Sequence, residues 1–202
     1  MTAALYPAFL KLEGLPVVVV GGGTVAAGKL DGLLAAGARV TVVAPNITAA
    51  IRDRVARDAI VLVEQPFSAA HLAGARWVVA AATPDVNRDV ATAAAARSLF
   101  VNAVDDPTVA TAYLGGVVRR GPVEIAISTG GLAPALAGLL REALDAVLPE
   151  DLERWIEVAT NARAEWKRGR VPIAERRPLL LRALDRLYTH APEPRRALGW
   201  EP

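Results

Sequence analysis

The residues best suited to chemistry lie in two places, and the first is a glycine cluster. Gly21, Gly22 and Gly23 follow the run Val17-Val18-Val19-Val20 and lead into Thr24-Val25-Ala26. Gly21-x-Gly23-x-x-Ala26 has the spacing of a dinucleotide-binding turn. The first glycine permits a tight turn, and the second lets backbone approach a pyrophosphate with no Cβ in the way. Ala26 lets the following helix lie close on the strand, and that helix points unpaired N–H groups and its positive end at the phosphates. The second place is Asp105-Asp106-Pro107. Asp105 ends a strand and can act as a general base. Equally, Asp105 or Asp106 can simply cap the turn before Pro107; the residues alone leave the two readings level. Further on, Ser128 and Thr129 precede Gly130-Gly131. They suit a cap at a helix entrance slightly better than a hydroxyl pair facing a substrate.

Elements that position these groups follow from the pattern. Four β-branched residues in a row read as a strand buried on both faces. The helix after the glycines runs to about Ala36, with Gly37 as its stop. Further strands are expected at Val40–Val43, Ile60–Val63, Trp77–Ala82 and Leu99–Val104. Helices are expected from Thr48 to about Arg57 and from Pro84 to about Arg97. Strand–helix alternation implies an α/β fold with an open, Rossmann-like parallel sheet. In such sheets ligands sit outside the carboxyl ends of the strands. Gly21–Gly23, Pro45-Asn46, Thr83 and Asp105 all fall there and share one crevice. The second strand ends Ala44-Pro45-Asn46, with neither the carboxylate that holds an NAD ribose nor an arginine for a 2′-phosphate. Ribose contacts are therefore assigned to backbone or to Asn46.

The pattern changes after Pro107. Ala112–Arg119 and Val123–Ser128 read as a hairpin around Arg120-Gly121-Pro122. A helix from Pro134 carries Leu136, Leu139, Leu140, Leu144 and Val147. Charged helices follow over Asp151–Arg168 and Ala174–Tyr188, and the tail from Ala191 to Pro202 is expected to fray.

Composition narrows the options. The 202 residues carry a net charge of +2 and are 53% hydrophobic, so a packed core is available and nucleic acid is not indicated. There is no cysteine, which excludes disulfides and thiolate metal sites. The only histidines, His71 and His190, are far apart in sequence, so no structural metal site is expected, and His71 reads as the cap of a surface turn. No apolar run reaches the ~20 residues of a membrane helix, and Lys11 and Glu13 interrupt any signal layout; a cytoplasmic protein is expected.

Four stretches resemble the siroheme synthase family, whose members oxidise precorrin-2 to sirohydrochlorin with NAD, many also inserting ferrous iron. They are Tyr6-Pro7-Ala8-Phe9-Leu10, Val20–Ala26 with Lys29, Val101-Asn102-Ala103-Val104-Asp105-Asp106-Pro107, and Ile127–Gly131 with Pro134, Leu136 and Ala137. The resemblance implies an NAD domain (1–111), a small α+β dimerisation region (112–148) and a C-terminal helical region (149–202). The methyltransferase domain some members carry is not expected here. Cofactor contacts map onto Gly21, Gly22, Gly23, Thr24, Val25, Pro45 and Asn46, and the catalytic aspartate onto Asp105, which tips that reading toward chemistry. The implied substrate side holds Asn102, Arg119, Arg120, Ser128, Thr129 and Gly130.

Precorrin-2 is a polycarboxylate, and guanidinium pairs carboxylate in a bidentate way. Arg119 and Arg120 lead the candidates, followed by Arg141, Lys167, Arg168, Arg170, Arg176 and Arg177. Any single one is better read as part of a solvated face; the group reads better as a carboxylate-binding set, because Arg119 and Arg120 flank the expected site. Family positions usually held by phenylalanine, proline, serine and arginine are here Ala112, Gly115, Ala133 and Gly28. The implied partners are precorrin-2, ferrous iron as a substrate, and a second copy in a homodimer. The alternatives are a regulatory module that senses a dinucleotide without chemistry, and a relative that binds a tetrapyrrole without turning it over.

Overall fold

The computed structural model describes residues 4–58 and 60–189. His190 and the tail expected to fray lie outside them. The described chain forms two compact units: one holds the residues up to Gly115 together with Ser128–Pro134, the other Gly116–Ile127 and the chain from Ala135 onward.

In the first unit, β1 (Pro16–Val20), β2 (Arg39–Val43), β3 (Val61–Val63), β4 (Trp77–Ala80) and β5 (Phe100–Ala103) make one parallel sheet in the order β3-β2-β1-β4-β5. The chain therefore moves outward from β1 in both directions, and β1 lies at the point where the order reverses. That is where such sheets bind ligands. The valine run explains why β1 is central: Val17 and Val19 join one core layer, Val18 and Val20 the other, and all four are buried. Each buried valine contributes about 1.5–3 kcal/mol relative to exposure.

Helix α1 (Thr24–Ala35) puts Leu30 and Leu33 into the layer shared with Ile51 of α2 (Ala49–Arg57). Helix α3 (Pro84–Ala95) puts Val90 and Ala94 into the opposite layer with Leu72. Gly37, with φ +74, closes α1 as its position demands. His71 caps its turn, its Nδ1 accepting the Ser68 N–H at 3.1 Å.

Several strands are shorter than their sequence suggests: β4 ends at Ala80 and not Ala82, β5 covers Phe100–Ala103 and not Leu99–Val104, and the first hairpin strand loses most. Residues 112–115 do not join the hairpin, which starts at Gly116. The N–H groups of Thr111 and Ala112 both donate to the Val101 carbonyl, and the Val101 N–H donates to Thr111 Oγ1 at 2.8 Å. Those bonds tie the segment to the edge of β5 instead.

In the second unit, β6 (Gly116–Arg120) and β7 (Val123–Ile127) pair antiparallel about Gly121-Pro122. Then come α4 (Pro134–Val147), α5 (Leu152–Arg168) and α6 (Ile173–Thr189). The Trp155 indole N–H donates to the Tyr188 hydroxyl at 2.6 Å and joins α5 to α6. Among the described residues of this unit only Val118, Ala137 and Leu152 are buried apolar side chains. Leu139 of α4 is 63% exposed and Val147 75%. No described helix is long and apolar enough to cross a membrane.

Candidate functional site

The three glycines at the end of β1 have different reasons for being there. Gly21 has φ +132, and a Cβ on it would collide with the Ala81 carbonyl beyond β4. A Cβ on Gly22 would collide with the Asn46 carbonyl beyond β2. The Gly21 N–H donates to the Val43 carbonyl, and the Thr48 N–H to the Gly22 carbonyl. The protein's own packing thus requires glycine at 21 and 22. Gly23 is different: its φ of −88 suits any residue, and a Cβ there would meet nothing within 4 Å. It leaves open space directly before α1, where the N–H groups of the first turn have no partner within the helix. Gly23 is the N-cap, no side chain caps this end, and the first turn carries no acid. Ala26, fully buried, is the small contact expected. This arrangement fits a dinucleotide: a bare backbone cradle, an uncompensated positive helix end and exposed Thr24 and Val25 beside it.

Pro45 and Asn46 are exposed just past β2, and no carboxylate stands at that edge. Arg52 of α2 pairs with Glu64 just past β3 at 3.4 Å. The Thr48 hydroxyl is buried without a hydrogen-bond partner.

On the other side of β1, a cleft of about 210 Å³ is lined by Val25, Ala81, Ala82, Pro84, Asn87, Val104, Asp105 and Asp106. Thr83 lies between two of these residues and forms the N-cap of α3, its carbonyl accepting the Asn87 N–H at 2.9 Å. The two aspartates differ in how they are engaged. Asp106 takes the Thr108 hydroxyl at 2.5 Å and the Thr108 N–H at 3.1 Å. That hydroxyl holds its carboxyl below the ordinary aspartate value. Asp106 is therefore the turn cap. Asp105 is exposed, has φ +59, and has no hydrogen-bond or ion-pair partner among the described residues.

Ser128, Thr129 and Gly130 come next to this turn. The Gly130 N–H donates to Ser128 Oγ at 3.1 Å, and the Ala133 N–H to Thr129 Oγ1 at 3.2 Å. A Cβ on Gly131 would stand 3.2 Å from Pro107 and from the Tyr113 ring, so the loop packs beside the aspartate pair. Both hydroxyls bond within their own loop, and neither takes an N–H of α4, which begins at Pro134.

Asn102 does not reach the cleft. It is 7% exposed, and its Nδ2 donates to the Ala112 carbonyl at 2.9 Å, strapping residue 112 to β5, while its Oδ1 has no partner. Arg119 and Arg120 belong to the hairpin of the second unit, and each is engaged. Arg119 pairs with Glu124 at 2.7 Å, and Arg120 with Asp145 at 2.9 Å.

Sequence reading passed over Asn87. It is 3% exposed, its Oδ1 accepts the Ala82 N–H at 2.9 Å, and its Nδ2 donates to the Val104 carbonyl at 3.4 Å. The signal was available: Asn87, Val90, Ala91 and Ala94 repeat at helical spacing, so a polar residue occupies the core stripe of α3. Among the described residues no cluster of His, Asp or Glu could hold a metal ion.

Comparison with known proteins agrees with this geometry. The sequence profile described as "Putative NAD(P)-binding" matches residues 8–116, more than half of the chain, and "Sirohaem biosynthesis protein central" matches 120–146. Siroheme synthase 1 of Aeromonas salmonicida (strain A449) is 40% identical over 185 residues, 90% of this chain and 39% of that protein. Siroheme synthase of Neisseria meningitidis serogroup C (strain 053442) is 38% identical over 173 residues, 85% of this chain and 36% of that protein. The chain thus spans under two fifths of the length of these relatives. Among solved structures, SirC, a precorrin-2 dehydrogenase, superposes with a TM-score of 0.71 at 26% identity, covering 93% of both chains.

Proposed function

We propose that the chain, which belongs to the putative NAD(P)-binding family over residues 8–116 and matches the sirohaem biosynthesis central model over 120–146, is a protein of siroheme synthase type that oxidises precorrin-2 to sirohydrochlorin with NAD. The observation that carries this reading is Asp105, a carboxylate with no partner among the described residues that lines a cleft beginning at the first turn of α1.

The N–H groups of Gly23, Thr24 and Val25 would hold the pyrophosphate. Pro45 and Asn46 would border the adenine ribose, and the edge around Thr83 the nicotinamide half. NAD supplies a hydride acceptor when bound. The chain's own part is to orient the macrocycle and to take the proton whose loss balances hydride removal. Asp105 is the base for that proton, acting at its carboxylate oxygens. NAD is favoured over NADP because Arg52, the cation near the second strand's edge, is already paired with Glu64. A 2′-phosphate would have to compete for it.

Ferrous iron would be a substrate, and the same carboxylate would accept the pyrrole protons that insertion displaces. Arg119 and Arg120 carry N–H groups beyond those their ion pairs use, and these would serve a substrate carboxylate. The hairpin and α4 would form the dimer interface, since Leu136, Leu139, Leu140 and Val147 are exposed.

The test is anaerobic incubation with precorrin-2 and NAD, following NADH absorbance. Stoichiometric NADH is expected. NAD binding without turnover would favour a sensing module instead.

A further inference from the structure

The Asn87 side chain joins the two backbone ends that border the cleft. Its carbonyl end accepts from Ala82, past β4, and its amide end donates to Val104, past β5. It is buried, and it lies in an otherwise apolar stripe of α3. In this shape a primary amide gives an acceptor at one end and a donor at the other without having to take up a proton. Leucine offers neither, and an ionised aspartate would set lone pairs against the Val104 carbonyl. Val104 is the residue before Asp105, whose φ of +59 is uncommon for a side chain other than glycine. The Val104 N–H also donates to the Ala80 carbonyl at 2.9 Å, so the residue is held on both its polar groups.

We propose that Asn87 is a positioning residue: by holding the Val104 carbonyl it fixes the peptide that aims the Asp105 carboxylate into the cleft. It acts through Val104 and touches neither substrate nor cofactor. Its importance to turnover rests on the reading of Asp105 as the base; its hold on the backbone does not.

Asn87→Asp and Asn87→Ser test this, with precorrin-2 kinetics, NAD calorimetry and hydrogen exchange over residues 102–106. Expected is a fall in kcat of roughly 10- to 100-fold, the scale of a misplaced reacting group. KM for precorrin-2 and Kd for NAD should stay within about threefold, because only orientation is lost. In an Asp105→Asn background neither change should lower the residual rate further, since the two residues act as a unit. Exchange over 102–106 should speed up in both variants. Wild-type kcat, an additive loss beside Asp105→Asn, a loss confined to NAD affinity, unchanged exchange, or global unfolding of both variants would each overturn the proposal. Should the unaltered protein fail to oxidise precorrin-2, the functional reading falls alone, and the exchange measurement still decides the role of Asn87.

Discussion

Asp106 accepts both the hydroxyl and the N–H of Thr108, at 2.5 and 3.1 Å, and so carries the turn that leaves its neighbour Asp105 uncommitted. Two adjacent carboxylates of the same type thus differ in what they are free to do.

Asp105→Asn should therefore lower the oxidation rate by at least about 100-fold, the lower range for a general base. Its Kd for NAD by calorimetry should match the wild type. Asp106→Asn should cost at most about tenfold, through a looser turn. Equal losses in the two variants would refute the division.

Glycines 22 and 23 should separate fold from binding. Gly22→Ala forces a Cβ into the Asn46 carbonyl and should destabilise by about 1–3 kcal/mol, as overpacking does. Gly23→Ala meets open space and should stay within about 1 kcal/mol in a thermal melt. Its loss should appear in calorimetry with NAD.

The Thr108 hydroxyl sets the titration of Asp106. A carboxyl lowered by folding contributes stability that is present above its unfolded value. That contribution is lost as pH falls through the lower folded value. The window is acidic, below the ordinary aspartate value of about 3.9. Thr108→Val should move the Asp106 midpoint toward that value and reduce its share of the acid-side dependence, the Thr108 N–H and Arg88 still favouring the charged form. NMR titration of the side-chain carboxyl carbon reads it directly.

Leu139→Asp places a charge on the exposed apolar face of α4. Light scattering on a sizing column should show a dimer for the wild type and a monomer for the variant. A wild-type monomer at micromolar concentration would remove the interface proposal.

Much of the fold was legible because β1 and β4 are buried on both faces and therefore read as continuous apolar runs. The glycine turn was legible for the same reason: a strand, a break and a helix leave few alternatives. Gly22 was not, because it answers to the Asn46 carbonyl, 24 positions away in the chain. The segment 112–115 looked like strand, yet its backbone bonds run back to Val101. Asn102 and Asn87 were hidden differently. Sequence shows an amide; it does not show which distant carbonyl the amide will meet. Asp105 and Asp106 could not be told apart until Thr108 was seen to choose one of them.

The left-handed backbone at Asp105 also bounds how this site can decay. Besides glycine, aspartate and asparagine are among the few residues at ease there. Of these, only aspartate ionises. With Asp105 in the role proposed for it, drift to asparagine would silence the centre while leaving its shape intact, so an inert descendant would superpose on a working one atom for atom along the main chain.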